Sequence, residues 1–538
     1  MNWKVVFGAQ VTREYSLQSG WNAIYLDIEP DDSDPATVFN GISQIESVWM
    51  WNANAGTVEF IQNPAELEPA EAPYLTWLPG SILSNLGAIH GNQAYLIKTT
   101  GACTLTVNGE PLLPAIDWKP NSFNLVGFHL DAAHLTTFDS FFGPYPEFLQ
   151  SDGSLADIYA LDGNGQWVAA APTDMMEEGE AFWIYCWGSS TFTGTLRVQV
   201  EQNGRLDFGE VLSMQDIVIY NLSDAPQSVS LDLNPTTFPL YYQNPPTAEA
   251  PISWSPMSGG YTSPEAIGVG ESLRLRLGVK RAGLIAGTTY EANLELPGSD
   301  ASKGSRVEIP LSVTGVDLGG LWAGYVTLNQ VSEINSEGGA DANTPQDTGS
   351  EFTFRLLLHH DGSTTTKILN QAVEVLDGVN YVIYSDNIDN ISSENCRRRI
   401  SAPTFGNFGG GNNLQMTPPG AFGVDGSILE ANWTMAADDP LNPFIHAFNH
   451  EHRTDNTSYG SYAITRDITL TFGGGEDGSE DFIGWGSSEI GGVYEETFQG
   501  LTREDNPGTP DKNEANIYVK GTFRLRKISD IKTLNPAP

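Results

Sequence analysis

The sequence predicts an all-β, multi-domain protein. Three observations carry that expectation. Short runs of alternating apolar and polar residues recur along the chain, bounded by turn residues. The 56 Gly and 32 Pro are spread over the 538 residues rather than clustered, as many tight turns between short strands require. Two early stretches repeat five landmarks in the same order, which reads as a tandem duplication. At roughly 100–200 residues per domain, the chain divides into a few domains. Four are expected: two β-rich repeat copies over 1–112 and 113–195, a sandwich over 196–315, and a larger C-terminal sandwich with long loops over 316–538.

The first copy opens with Trp21-Asn22 and a strand through Leu26; the second opens with Phe123-Asn124 and a strand through Phe128. Each continues with a short helix-like segment, Pro35–Phe39 or Leu135–Asp139. Asp34-Pro35 reads as a helix N-cap with Pro in the first position. An aromatic strand follows, Val48–Trp51 or Asp157–Ala160, then a strand-turn-strand. In the second copy Asp162-Gly163 is the hairpin signal. The closing strands are Ala94-Tyr95-Leu96-Ile97 and Ala181-Phe182-Trp183-Ile184.

In the third stretch, Val229, Leu231 and Leu233 alternate with Ser230 and Asp232, and Leu273, Leu275 and Leu277 alternate with Arg274 and Arg276. Both are strands with one buried face. Gly270-Glu271-Ser272, Ala286-Gly287-Thr288-Thr289-Tyr290 and the closing Pro310-Leu311-Ser312-Val313-Thr314-Gly315 resemble the immunoglobulin-like sandwich modules of bacterial secreted and surface proteins. No Cys…Trp…Cys pattern accompanies them, which excludes an antibody-type domain.

The C-terminal stretch is expected to hold strands at Leu321–Leu328 and Phe352–His360. Two more are expected either side of Arg466-Asp467, with last strands at 491–498 and 517–526. Long Gly/Asn/Asp-rich loops separate them (405–419 and 473–486), and loops of that length in compact β domains usually serve function. The whole order resembles uncharacterised, large, exported bacterial proteins. That resemblance implies an extracellular or cell-surface, bacterial setting and no particular activity. Met1–Gln10 reads either as the stub of a secretory signal with too short an apolar run, or as a first strand.

Composition narrows the partners. With 26 Lys+Arg against 67 Asp+Glu, the net charge is −41. Such a surface repels phosphate backbones and anionic lipid, so no nucleic-acid partner is expected. The acidity suits either cation-rich surroundings or solubility through self-repulsion. No apolar run nears the roughly 20 residues of a spanning helix, so no membrane insertion is expected. Cys103, Cys186 and Cys396 are too far apart in sequence for a disulfide framework or zinc spacing, and Cys103 and Cys186 read as small buried hydrophobes.

Candidate chemistry concentrates in the last domain. His446, His450 and His452, with Glu451, lie within seven residues and form a candidate metal set. The competing reading is a hydrogen-bonded polar loop, because no Glu directly follows the first His as a zinc hydrolase would need. Acidic loops such as Asp31-Asp32-Ser33-Asp34, Asp386-Asn387-Ile388-Asp389, Asp438-Asp439 and Glu476-Asp477 suit Ca2+, though none has the twelve-residue helix-loop-helix spacing. Trp49 and Trp51 face one side of a strand, either as a platform for sugar or protein or as core. Arg397, Arg398 and Arg399 stand out in an acidic chain, as a docking patch for an acidic neighbour or as a solvated turn. No catalytic constellation is identified: no nucleophile elbow, phosphate loop or dinucleotide fingerprint has a supporting context. The resulting expectation is a non-enzymatic extracellular structural or adhesive protein. Its partners would be other copies, other envelope proteins or surface glycan, with self-assembly into a layer or filament. The alternative is a secreted carbohydrate-binding or metal-dependent carbohydrate-active protein with its site in the last domain.

Overall fold

The computed structural model describes residues 9–52, 74–201, 204–248, 252–332, 344–386, 388, 391–405, 413–416, 422–436, 439, 442, 463–473, 486, 488–502 and 514–535. Strand is 54% and helix 4%, so the all-β expectation holds. Two compact units form. One comprises Met1–Gln243, Ser255–Gly278 and Thr289–Val313; the other comprises Asn244–Trp254, Val279–Thr288 and Thr314–Pro538.

In the first unit, the Trp21-Asn22 and Phe123-Asn124 landmarks have a physical role. Asn22 Oδ1 accepts from Gln18 N (2.7 Å), and its Nδ2 donates to Gln18 O (2.9 Å) and Gly20 O (3.2 Å). Asn124 repeats the clamp: Oδ1 accepts from Lys119 N (2.7 Å), and Nδ2 donates to Lys119 O (3.1 Å) and Ser122 O (3.0 Å). Each Asn fastens the turn that launches its strand. The sheets that follow share one strand order. Gly20–Leu26, Gln93–Thr99, Ile45–Trp51 and Tyr74–Trp77 lie side by side, as do Ser122–Val126, Phe182–Cys186, Ile158–Leu161 and Trp167–Ala169. In both, the opening strand pairs with the closing aromatic strand, and the aromatic strand follows.

Asp34 caps Pro35–Val38 as expected, accepting from Ala36 N at 2.9 Å. The second helix begins later than expected, at Phe138, with Thr137 as its cap. The hairpin at Asp162 turns on Gly165 rather than Gly163. Gly165 holds φ +74°, and Asp162 Oδ1 accepts from Asn164 N and Gln166 N.

Each four-stranded sheet is buried on both faces. Ile24, Leu26, Val48 and Ile97 face the first copy's own core, and Val126, Ile158, Phe182 and Ile184 face the second's. The opposite faces meet in a shared aromatic core of Tyr25, Trp49, Leu96, Leu125, Trp167 and Trp183. A backbone bridge crosses between the copies, with Tyr25 N donating to Gly179 O (2.8 Å) and Ala181 N to Ala23 O (3.2 Å). Gly127 permits this approach, because a Cβ there would overlap the Tyr25 side chain and sit 2.6 Å from Glu180 O.

Residues 196–314 supply two five-stranded sheets. Val229, Leu231, Leu233, Leu275 and Leu277 are buried, with exposed polar residues between them.

The second unit has an eight-stranded sheet. Its order is Asn413–Gln415, Thr366–Leu369, Pro345–His360, Gly320–Ser332, Glu514–Ser529, Glu489–Thr502, Ile464–Phe472 and Ile428–Met435. A four-stranded sheet of Cys396–Ser401, Gln371–Asp377, Asn380–Tyr384 and Leu534–Asn535 joins it. Both contribute to one core that includes Trp322, Leu356, Leu358, Ala372, Ile383, Leu470 and Phe523. The expected break at Arg466-Asp467 is absent, and Ile464–Phe472 runs straight through it. The reason is that Arg466 points inward with Ile464 and Ile468 and finds its counter-charge there.

Candidate functional site

Buried charge in the first unit gathers on Asp27. Its carboxylate takes Arg13 (Nε, 3.1 Å), the Tyr15 hydroxyl (3.2 Å) and Arg306. Arg13 also pairs with Glu308, and Arg306 with Glu178 at 2.7 Å. Residues from the repeat copies and from the 196–314 sheets therefore meet in one ionic cluster. Burial alone would raise the Asp27 carboxyl; Arg306, His129 and Arg13 outweigh it and hold the group below the usual carboxylate range. Burial pushes the neighbouring His129 down to about 4, so it is neutral at pH 7.

Beside this cluster runs a cavity of about 900 Å³, lined by Tyr15, Trp21, Asn22, Glu178 and Glu180 among others. Burial, assisted by Glu177, raises Glu180 to about 7.

The second unit holds another interior pair. Arg466 Nε donates to Glu496, its Nη1 to Thr404 O (2.8 Å), and Tyr494 donates to Glu496 Oε2 (2.7 Å). Phe405, Trp433 and Phe498 surround the guanidinium at 5.2–5.3 Å.

The third charged site is open to solvent. On the Cys396–Ser401 strand the pairing steps from Glu374↔Arg398 to Val375↔Cys396, leaving Arg397 as a bulged extra residue. A bulge re-aims side chains, and here it turns consecutive arginines onto one carboxylate. Arg397 Nη1 donates to Glu374 Oε1 at 2.9 Å, and Arg398 Nη1 lies 3.9 Å from Glu374 Oε2. Arg397 also covers the Tyr381 ring at 4.8 Å. The Glu374 side chain is 1% exposed, while those of Arg397 and Arg398 are 49% and 37% exposed. Both Arg398 Nη1 and Glu374 Oε2 are buried without a hydrogen bond. These residues line a pocket of about 720 Å³ with Lys527 and Asp530, which pair at 2.7 Å.

Of the residues singled out from sequence, Arg397 and Arg398 come together in this pocket. Arg399 lies two residues along the same strand. Trp49 and Trp51 face the same side as expected, and that side is the shared aromatic core. Trp49 meets Trp21 edge-on at 6.2 Å, and Trp51 meets Trp183 at 5.3 Å. His446, His450 and His452 lie outside the described residues, as do Asp389, Asp438 and Glu476-Asp477. His359 and His360, in the same domain, are buried; His359 faces Ile531 O (3.0 Å) and His360 the Thr366 hydroxyl (3.0 Å). In the Asp31–Asp34 loop, Asp34 serves its helix and Asp32 accepts from Asp34 N. Among the described residues no three His, Cys, Asp or Glu converge as a metal set. Cys186 is buried and Cys103 and Cys396 partly so, all as free thiols. Sequence reasoning missed Asp27 and Glu374. Their signal was present: each is a lone acid inside an apolar strand run, Tyr25-Leu26-Asp27-Ile28 and Val373-Glu374-Val375.

The fold and these sites define a multi-domain β-sandwich protein whose buried charge fastens strands. No family model matches the chain, and no curated protein matches it. Among solved structures, it is similar to a chaperone–tip adhesion subunit pre-assembly complex of Csu pili from Acinetobacter baumannii (14% identity, TM-score 0.15, 35% of this chain and 85% of that one). It is also similar to the major pilin SpaD of Corynebacterium diphtheriae (10%, 0.15, 68% and 91%). A Bacteroides ovatus protein of unknown function is a further match (8%, 0.15, 62% and 93%). Likeness of that size assigns neither fold nor function to this chain.

Proposed function

We propose that this chain is a non-enzymatic, exported structural or adhesive protein of the bacterial surface. It is built from four modules (1–112, 113–195, 196–315 and 316–538). It works by contact with other copies, other envelope proteins or surface glycan. The observation that carries this reading is the contrast between its charged sites. Asp27 with Arg13 and Arg306, and Arg466 with Glu496, are closed inside the fold, where they tie strands together. Arg397 and Arg398 instead stay open at a pocket, in a chain of net charge −41. Acidic surfaces repel one another, so an exposed cationic site is where an anionic partner gains most.

Sedimentation velocity of the full chain over a range of concentration and salt, with electron microscopy of the native surface material, tests this. An ordered polymer or a stable surface-bound state supports the reading. A permanently monomeric protein with no surface association contradicts it.

A further inference from the structure

The Arg397–Arg398 pocket contains an unfinished hydrogen-bond arrangement. Glu374 Oε2 needs a donor and Arg398 Nη1 needs an acceptor. They face each other across 3.9 Å, and each is buried without a hydrogen-bond partner. A direct bond is too long at that separation. One group that both donates and accepts would satisfy the two atoms together, and a hydroxyl is such a group. Leaving them unmet carries the desolvation cost of two charged groups.

The charge balance adds a second requirement. Two guanidiniums share the single carboxylate of Glu374, while Lys527 is matched by Asp530 and Asp317, also on the lining, by Lys532. One positive charge is thus left over at the pocket, and guanidinium recognises carboxylate in a planar, directional way. The half-exposed Tyr381 adds an aromatic wall on the same lining. The pocket, at about 720 Å³, has room for a sugar ring or two.

We propose that this pocket binds an acidic sugar, a uronate unit of a glycan. A ring hydroxyl lies between Glu374 Oε2 and Arg398 Nη1, and the sugar carboxylate takes the unbalanced guanidinium charge. The Arg397 bulge is what makes the site, because a regular strand would turn consecutive arginines to opposite faces. This rests on the surface-protein reading above and names the ligand class for its open pocket.

The test is calorimetric titration of the full-length protein with oligogalacturonate and with a neutral oligosaccharide of equal length, at low and high salt. Oligogalacturonate is expected to bind, to weaken as salt rises, and to exceed the neutral sugar by tenfold or more. Arg398→Gln should lower its affinity at least tenfold. Circular dichroism establishes that each variant is folded. Tyr381→Leu, at a half-exposed position, gives a milder variant expected to lose severalfold. The proposal is overturned if folded wild-type protein binds neither sugar, which would leave the gap to an ordered water. It is also overturned if Arg398→Gln binds like wild type. If Arg398→Gln instead abolishes self-association without any sugar binding in wild type, the pocket is a protein interface. The surface reading then stands while the uronate assignment fails. Failure of the surface reading shows separately, in the location and assembly of the native material.

Discussion

Replacing Asp27 by alanine is expected to destabilise the first unit by about 3–4 kcal/mol at pH 7. Asp27 is 6% exposed and accepts from Arg13, Tyr15 and Arg306. Removing one partner from a buried ion pair costs about 3–5 kcal/mol, because the remaining charge is left uncompensated. The estimate falls in the lower part of that range because each guanidinium keeps a second carboxylate, Glu308 for Arg13 and Glu178 for Arg306. The Tyr15 hydroxyl loses an acceptor, worth about 1 kcal/mol. The readout is urea unfolding of the full chain, with amide exchange of peptides covering Gly20–Leu26 and Phe182–Cys186 reporting the first unit. The folded Asp27 carboxyl is held below its ordinary value, so its contribution is complete above about pH 3.9. That contribution is lost as pH falls through the folded value, and wild type and variant should converge in strong acid. A loss below about 1 kcal/mol at pH 7, or a difference that ignores pH, refutes the ionic-cluster argument.

Gly127→Ala should lower the melting temperature by forcing Tyr25 and the Glu180 carbonyl away, an overpacking cost of about 1–3 kcal/mol; an unchanged melt contradicts the close approach. Arg466→Met alone should cost about 3–5 kcal/mol, whereas Arg466→Met with Glu496→Leu should recover most of it. Additive losses in that double-mutant cycle count against the closed pair. Two groups act oppositely on pH stability. The His129 value, depressed to about 4 from 6.5, makes stability fall by about 3 kcal/mol as pH drops from 6.5 to 4. Glu180, raised to about 7 from 4.5, contributes stability below pH 4.5 that is lost as pH rises through 7. The two slopes offset one another in wild type. His129→Gln should therefore expose a falling stability from pH 5 to 7, and Glu180→Gln a rising one; parallel profiles for both would rule out the assignment.

Local patterns were legible where one residue's neighbours decide its structure. The Asp34-Pro35 cap, the alternation at Val229–Leu233 and at Leu273–Leu277, and the common face of Trp49 and Trp51 all follow from spacing alone. What the common face packs against was not legible, because Trp183, which meets Trp51, lies in the other repeat copy. Arg466-Asp467 reads locally as a polar interruption. It continues a strand because Glu496 waits on the neighbouring strand thirty residues later. The three consecutive arginines were visible as charge. The convergence of Arg397 and Arg398 on Glu374 depends on a bulge, and pairing register is set by the partner strand rather than by the run itself.

The proposed place of action is the bacterial surface. Its most direct test is protease shaving and immunogold labelling of intact cells of the source bacterium, using antibodies raised against the folded chain. Gold on the outer face and release of peptides from unbroken cells is the predicted result. Protein found only in the soluble interior fraction, protected until the cells are lysed, would contradict the account.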